Sequence, residues 1–536
     1  MPAWLVLFPP LLVLIVALIS RNVLLSLATG IVSAAALATS FSPVATVELI
    51  VCRLYRETDI QKIWCPLGSP DHFYTFVFLI TLGIIISFIT HSGGIAAYIT
   101  TLQRRLHTKK ATQFVCLLLS MCFFIDDYLS SLVVGSIMRP LTDKFALPRV
   151  KLAFLLNAMS APLCVIIPAS SWTAMILVNL QAAGVSEQPG LTTFIKADPF
   201  SVYLHTIAYL FYPFFIVASA FFIVARSISF GSMKAQEHEA DRTGNLFGGK
   251  QPLVVQITQD PAHKGSLIDF FGPIGLFIGL VFALLLYSGN WHMLGGNATF
   301  GTALQQANIF FSLCFASVIT LSLTLLIAAL QKKLTLHNFK NISVSGFMLM
   351  KNSLFILLLA WTLSSLLKDD LKAGQYVAHL VLGAIPTFLL PVMIFFTALI
   401  IAASIGSAWG TIMIMMPLAV PIITAATGQS LPIDAQSAFL LGPIMGGLLS
   451  GAVAGGPVSP IADSTVMSST SSGAYHLDHI ATQFGYVTPA IAGTTLALLI
   501  VGLTGSYSPT LSVTGAFIAG LATTLLILYI RNKASN

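Results

Sequence analysis

Long apolar segments, separated by short polar connections, run through almost the whole chain. A helix that crosses a bilayer needs about 20 predominantly apolar residues, and by that measure the pattern predicts about 11 full spans. Two further apolar segments, 109–144 and 388–426, carry polar residues at their centres, which favours a re-entrant hairpin over a simple span. The predicted fold class is an all-α, polytopic membrane protein.

The chain divides around its only extended polar region, 227–267, which we interpret as a cytoplasmic linker. The N-terminal half, 1–226, contains the first hairpin followed by an apolar segment at 150–182. The C-terminal half, 268–536, contains the second hairpin followed by a similar segment at 436–472. Prolines and polar residues inside both segments predict broken transmembrane helices, because proline removes a backbone hydrogen bond.

Basic residues stand on both sides of the first hairpin. They are Arg104, Arg105, Lys109 and Lys110 before it, and Arg139, Lys144, Arg149 and Lys151 after it. Short loops rich in Lys and Arg stay on the cytoplasmic side of a membrane, so this segment is expected to enter and leave by one face. Its centre, Asp126 to Ser131, then lies near mid-membrane, where non-helical backbone is tolerated only against protein or a water-filled cavity.

The second hairpin has no basic residue at either end, because no Lys or Arg occurs between Lys372 and Arg531. Each half nevertheless has the same order of span, interfacial helix (93–106 or 373–387), hairpin and broken helix. The halves are therefore predicted to be inverted repeats. Inverted repeats whose discontinuous helices meet at the midplane are typical of secondary transporters.

Further bases predict the orientation of this multi-pass protein in the cell (inner) membrane. Arg21 on the inside places the N-terminus outside, and Arg531 places the C-terminus in the cytoplasm. The loop 41–70 is then external. Its Cys52 and Cys65 are compatible with a disulfide and equally with two free thiols.

Composition supports the membrane assignment. The chain is 56% hydrophobic and 8% charged, whereas a soluble domain has about 25% charged residues. Its mean hydropathy is +0.89. The net charge of +7 reflects bases in short loops, without the aromatic-interleaved basic patch of a nucleic-acid-binding protein. We expect a lipid bilayer, and no nucleic acid, as its surroundings.

Three acids, Asp126, Asp127 and Asp463, are expected to lie deep in the membrane. A charged side chain there costs about 3 kcal/mol or more, so each needs a functional reason. Burial favours a protonated carboxylate and a bound cation favours the ionised form, so such a group can exchange a proton for a sodium ion. The candidate ion- or substrate-binding residues are Asp126, Asp127, Ser130, Ser131, Asn157, Ser170, Ser407, Thr411, Ser459, Asp463, Ser464 and Thr465.

Simpler explanations stay open for several residues. One of Asp126 and Asp127, or Asp463, could cap the following helix by accepting backbone N–H bonds. Trp172 and Trp409 follow polar breaks at comparable places in the two halves, and packing explains them more simply than contact with a substrate.

Two histidines near the second broken helix, His476 and His479, flank Asp478 and suggest a metal site. A third fixed partner with motif spacing is missing, so we expect no cofactor and no metal beyond transported sodium. Histidine titrates near neutral pH, which favours pH sensing or gating at the cytoplasmic side. The chain has no His-Glu-x-x-His or Gly-x-Ser-x-Gly motif, which argues against an enzyme.

Several short motifs resemble the NhaC family of sodium/proton antiporters, in that family's order, over roughly 70–505. They are Asp126-Asp127-Tyr128-Leu129, Arg139-Pro140-Leu141-Thr142-Asp143-Lys144, Ser170-Ser171-Trp172, Ser407-Ala408-Trp409-Gly410-Thr411, Ser459-Pro460-Ile461-Ala462-Asp463-Ser464-Thr465, and Asp478-His479 with Thr482-Gln483. The resemblance implies the ion-transporter superfamily, whose members pair two hairpins with two broken helices and are often dimeric elevators. A homodimer is therefore implied as well.

Two departures from that family keep a second hypothesis open. Asn157 stands where the family usually has Asp, and Gly455-Gly456-Pro457 stands where it usually has Gly-Asp-His. The favoured hypothesis is sodium/proton exchange, with Asp126 or Asp127 as the exchanging carboxylate and Asp463 assisting. The alternative is a sodium- or proton-coupled carrier of a small organic acid or amino acid, held by half-helix N-termini.

Overall fold

The computed structural model consists of helices and three strands of two residues each. It describes residues 5–6, 8–20, 23–57, 71–93, 108–168, 170–187, 193–251, 265–297, 303, 307–331, 336–372, 386–427, 431–434, 438–459, 462–505 and 508–535.

The first half and the linker supply eleven of the helices that we number. They are α1 (Phe8–Ser20), α2 (Val23–Ala38), α3 (Pro43–Glu57), α4 (Asp71–His91), α5 (Lys109–Cys122), α6 (Gly135–Lys144), α7 (Arg149–Ile166), α8 (Ser171–Ala182), α9 (Pro199–Ile207), α10 (Phe211–Arg226) and α11 (Gly231–Thr243). A helical turn, Asp127–Leu129, and a π-helical turn, Ser130–Val134, precede α6.

The second half continues the series. Its helices are α12 (Leu267–Ser288), α13 (Ile309–Leu330), α14 (Leu336–Ser365), α15 (Leu390–Ile405), α16 (Ala408–Thr427), α17 (Leu441–Val458), α18 (Asp463–Ser472), α19 (His476–Thr504) and α20 (Pro509–Ser535). The strands β1 (Val185–Ser186), β2 (Ile195–Lys196) and β3 (Ile433–Asp434) pair in parallel in that order, and so join the two halves.

Eight helices in the described part of the chain are long and apolar enough to cross a membrane, and three shorter apolar helices accompany them. The all-α, polytopic class is thereby confirmed. In α7 and α17, 94% of the residues are buried, and a helix that is enclosed on all sides lies in the core of the molecule. The two helix breaks lie at the C-terminal ends of these central helices, before α8 and α18.

The first hairpin leaves and returns at one end of the molecule. Lys109, where α5 begins, forms an ion pair with Asp241 of α11. Lys151, at the start of α7, forms an ion pair with Glu237 of the same helix, at 2.9 Å. Because both ends of the segment contact one short helix, the chain between them turns back, as a re-entrant hairpin requires.

The second repeat is held together by close packing of α15 against α17. A Cβ atom at Gly451 would collide with the carbonyl oxygen of Phe395, and one at Gly455 with the side chain of Ala402. Small residues let membrane helices approach closely. The glycines therefore bring the second hairpin against the second broken helix.

The structure differs from the predicted segments in four places. The apolar segment 200–226 is long enough to predict one span, but it forms two helices, α9 and α10, because Pro213 is tolerated only in the first turn of a helix, and α10 begins at Phe211. Helix α3 lies in the predicted external loop. The apolar segment 486–505 also predicts one span, and the helix that contains it, α19, begins ten residues earlier. The linker is also partly helical, in α11.

Some predictions fall on parts of the chain that are not described. The interfacial helices expected at 93–106 and 373–387 lie almost entirely outside the described residues, as do Arg21 and Cys65. Cys52 is a free thiol.

Candidate ion-binding site

The tip of the first hairpin holds the two adjacent acids against the start of α8. Asp126 is 1% exposed and its Oδ2 accepts a hydrogen bond from Ser171 Oγ at 3.0 Å. Asp127 is 6% exposed and its Oδ1 accepts from Trp172 Nε1 at 3.2 Å. The backbone N–H of Ser171 also donates to Ile125 O at 2.8 Å. Both acids therefore lie at a helix N-terminus, where the helix dipole favours negative charge.

The first broken helix is interrupted between α7 and α8, next to this tip. Ser170 caps α8, because its Oγ accepts from the Thr173 backbone N–H, and the same hydroxyl donates to Cys164 O at 2.6 Å. The carbonyl of Phe124 accepts from Cys164 Sγ at 3.0 Å. The bond from Cys164 to Phe124 thus joins the broken helix to the hairpin, next to the Ser170 cap of α8.

The tip of the second hairpin is a sharp turn between α15 and α16. Gly406 adopts a φ of +75°, a left-handed conformation that glycine takes without strain. Ser407 Oγ then accepts from the Gly410 backbone N–H at 3.1 Å, and Thr411 Oγ1 donates to Ser407 O. These bonds start α16 immediately after the turn.

An amide and hydroxyl network closes the second helix break. Thr465 Oγ1 donates to Gly456 O at 2.9 Å, and Gln483 Nε2 donates to Pro457 O at 2.7 Å. Asn157 Nδ2 donates to both Thr465 Oγ1 and Gln483 Oε1, each at 3.0 Å. The carbonyl groups exposed by this break are therefore satisfied by side chains.

The two hairpin tips and the two breaks meet around a cavity of about 20 Å³. Asp127 and Trp172 line it from the first half, and Ser407, Trp409 and Ser464 line it from the second. A cavity needs about 10–15 Å³ to hold one water molecule. A cavity of this volume admits a water molecule or a small cation in this conformation.

The predicted site residues fall into three groups. Asp127, Ser407 and Ser464 line the cavity. Asp126, Ser130, Ser131, Asn157, Ser459 and Thr465 are buried at the tip or the breaks, whereas Ser170 and Thr411 make bonds that start a helix. Asp463 begins α18, and its side chain lies outside the described part. Ion binding by these residues stays a prediction.

Four residues at the site were not among the predicted site residues, although each belongs to a motif that resembles the family: Ser171, Trp172, Trp409 and Gln483. Packing was the favoured explanation for the two tryptophans, and the structure places both on the cavity. The contact of Gln483 had no local signal, since its partner Asn157 is 326 residues away in the chain.

The two histidines contact one serine between the break and the start of α19. His476 Nδ1 lies 3.0 Å, and His479 Nδ1 2.9 Å, from Ser469 Oγ, which donates to Thr465 O. His479 is completely buried. Among the described residues no cluster of His, Cys, Asp or Glu could hold a metal ion. The histidines are thus connected through Ser469 to the second break.

A family model and a relative match most of the chain. The sequence model described as "Na+/H+ antiporter family" matches residues 163–503. An uncharacterised protein from Haemophilus influenzae is 27% identical over 500 residues, which cover 93% of this chain and 91% of the relative.

Two solved structures are similar to this chain at low sequence identity. Neisseria gonorrhoeae MtrF, reported as illuminating a class of antimetabolite efflux pumps, is 13% identical with a TM-score of 0.41, over 90% of this chain and 84% of MtrF. The Alcanivorax borkumensis YdaH transporter, reported to have an unusual topology, is 12% identical with a TM-score of 0.44, over 85% of this chain and 88% of YdaH.

Proposed function

The chain belongs to the Na+/H+ antiporter family, the NhaC-type family that its motifs resemble, and from this premise we propose that it exchanges sodium for protons across the cell membrane. It is a multi-pass membrane transporter, and its family is one of transporters rather than enzymes. The observation that carries the proposal is the buried carboxylate of Asp127 on a cavity of about 20 Å³.

Exchange follows from competition at that carboxylate. When Asp127 is protonated, its oxygen atoms are poor ligands for a cation, and when a sodium ion binds, the proton has to leave. The Ser407 and Ser464 side chains line the same cavity, and their hydroxyl oxygens complete a set of hard ligands. One proton released for one sodium bound balances the step at a single carboxylate.

Asp127 is the better candidate of the two tip acids. It lines the cavity together with Trp172, whereas Asp126 accepts a hydrogen bond from Ser171 and is not among the residues that line it. We assign the exchange to Asp127 and a supporting role to Asp126.

The hairpins provide the means of alternating access. The first opens at the end of the molecule that α11 covers, and the second is its inverted counterpart. Movement of one repeat against the other around a fixed site is the usual transport cycle of inverted-repeat carriers.

We propose that His476 and His479 act at the cytoplasmic side of this site, as pH-sensing groups. A homodimer in the inner membrane, with the N-terminus outside and the C-terminus in the cytoplasm, is part of the same proposal.

The alternative cargo, a small organic acid or amino acid, is less well supported. The cavity in this conformation holds about one water molecule, so an organic solute would require a larger opening at the hairpin tips. Stabilisation of the purified protein by an organic acid only in the presence of sodium would favour this alternative.

The decisive experiment compares Asp127→Asn with Asp126→Asn in reconstituted vesicles that contain a pH-sensitive dye. We expect Asp127→Asn to abolish sodium-dependent proton movement, because an amide cannot exchange a proton, and Asp126→Asn to retain part of it. Equal amounts of both variants in the membrane are the control. Wild-type exchange by Asp127→Asn would refute the mechanism.

A further inference from the structure

Trp409 has a buried indole N–H without a hydrogen-bond partner. The side chain is 7% exposed, and no acceptor in the described structure contacts its Nε1 atom. Trp172, which follows the break of the other repeat, packs against it edge to face with the ring centroids 6.1 Å apart. The Trp172 N–H donates to Asp127. The two donors therefore differ, since the Trp172 N–H is satisfied by protein and the Trp409 N–H is not.

An unpaired buried donor that borders a polar cavity can be satisfied by a ligand in that cavity, and Trp409 meets this condition whereas the buried Trp361 does not line the cavity. Buried polar groups are almost always paired with protein, ordered water or a bound molecule, since an unpaired one carries a desolvation penalty. The indole nitrogen is a donor only, so it cannot coordinate a cation directly and needs an oxygen acceptor. Trp409 lines the same small cavity as Asp127. A water molecule in a cavity of this size contacts the groups that line it.

Building on the sodium/proton exchange proposed above, we propose that Trp409 holds a water molecule that donates a hydrogen bond to the Asp127 carboxylate and stays beside it when the cavity widens to admit sodium. The water accepts from the indole N–H through one lone pair and keeps two O–H groups to donate. A donor to the charged form of a carboxylate stabilises that form. Trp409 is thus a positioning residue that helps to set the balance between sodium and protons at the site.

Few other titratable groups surround this arrangement. Helices α8, α16 and α17 carry none. Asp126 and Tyr128 are on the same hairpin tip, and Cys164, on α7, donates to the carbonyl of Phe124. Asp463 begins α18. The competition between a proton and a sodium ion at Asp127 is therefore the process that we expect the water to influence.

The test is Trp409→Phe, which keeps an aromatic ring against Trp172 and removes only the N–H. Without the anchored water, the ionised Asp127 that binds sodium is less favoured. We expect the half-saturating sodium concentration to rise about tenfold at low pH, equivalent to about 1.4 kcal/mol, and the pH profile of exchange to move to higher pH. The difference should shrink at high pH, where Asp127 is ionised in both proteins, and the maximal rate should change little.

A matched control is Trp361→Phe, the same substitution in a fully buried tryptophan of α14 that packs against Phe76. It should leave both the sodium dependence and the pH profile unchanged. Calorimetric titration of purified Trp409→Phe with sodium at several pH values gives the same answer if transport is lost for other reasons.

Two outcomes for the sodium dependence of Trp409→Phe would overturn the inference while leaving sodium/proton exchange intact. One is an unchanged sodium dependence at every pH in Trp409→Phe, when Asp127→Asn is inactive. The other is an effect seen only when an organic acid is present, since the N–H would then belong to that solute. A loss of maximal rate that is equal at all pH values would indicate a packing role and would also reject it. Failure of the wild-type protein to exchange sodium for protons would instead refute the proposed function.

Discussion

Asn157 uses both hydrogens of its amide, one for Thr465 and one for Gln483. Gln483 in turn donates to the carbonyl of Pro457, where α17 breaks. Thr465 donates its only hydroxyl hydrogen to Gly456 O, so it has to accept the hydrogen bond from Asn157. Donor and acceptor are thereby fixed along the network. A carboxylate at position 157 has no N–H to give. The amide that sequence comparison marks as a departure therefore fits its surroundings.

The network predicts the effect of Gln483→Met. An apolar side chain of similar length leaves the Pro457 carbonyl and one Asn157 N–H unpaired, which should lower the free energy of unfolding by about 1–3 kcal/mol. Thermal unfolding of the purified protein in detergent measures this loss of stability. The same substitution at Gln113, which makes one long bond of 3.4 Å to Lys109 O, should have little effect, and equal losses in both variants would contradict the role of the network.

At the scale of elements, the base of the first hairpin is tied to the end of α18. Arg149 donates to Asp143 Oδ2 at 2.7 Å and to the Ser472 carbonyl at 2.6 Å, and its side chain is 7% exposed. The Ser472 carbonyl belongs to the last turn of α18, where a positive charge is favourable. One guanidinium therefore links the hairpin with the half-helix that begins at Asp463.

We expect Arg149→Met to destabilise the protein by about 1–3 kcal/mol, because it leaves the Ser472 carbonyl without its charged donor and leaves Asp143, whose side chain is 32% exposed, without its ion-pair partner. Arg242→Met is the control, since Arg242 and Glu239 form an exposed pair on a single helix and such pairs contribute about 0.5 kcal/mol. Unfolding monitored by circular dichroism compares the two. Similar melting temperatures for both variants would show that Arg149 does not hold these elements together.

At the scale of the whole molecule, ion pairs identify two sets of connected segments. Lys109 and Lys151 contact α11. Arg53, in α3, forms ion pairs with Asp369 and Asp370 just after α14, at 3.1 and 2.8 Å. The topology predicted from the distribution of bases places the first set inside the cell and the second outside. Each set joins segments that this topology assigns to the same side.

Accessibility labelling tests that arrangement. In a background with the six cysteines replaced by serine, Lys109→Cys and Asp241→Cys should react with an impermeant maleimide only in inside-out vesicles. Asp370→Cys should react only on intact cells, because the predicted topology places residue 370 on the outer face of the membrane. Labelling of Lys109→Cys and Lys151→Cys from opposite faces would exclude the re-entrant hairpin, whatever the cargo.

The sequence alone determined the class of protein, because the length of apolar segments is a local property of the chain. Proline, polar residues and the distribution of bases predict the two hairpins and both breaks, and these stay predictions. Three deep acids are predicted as well, since a carboxylate in an apolar segment is conspicuous without any knowledge of its neighbours, and Asp126 and Asp127 are buried in the structure. The α9–α10 break and the helix inside the linker were missed, although Pro213 carried a local signal for the first.

Only the tertiary structure decided which of those groups share a site. The side chain that satisfies Asn157 is 326 residues away, and Trp172 meets Trp409 across the two repeats. Such contacts form only when the two halves pack around α7 and α17, so no local sequence pattern predicts them. The same packing gives the cavity its size of about 20 Å³, because volume is a property of the assembled helices.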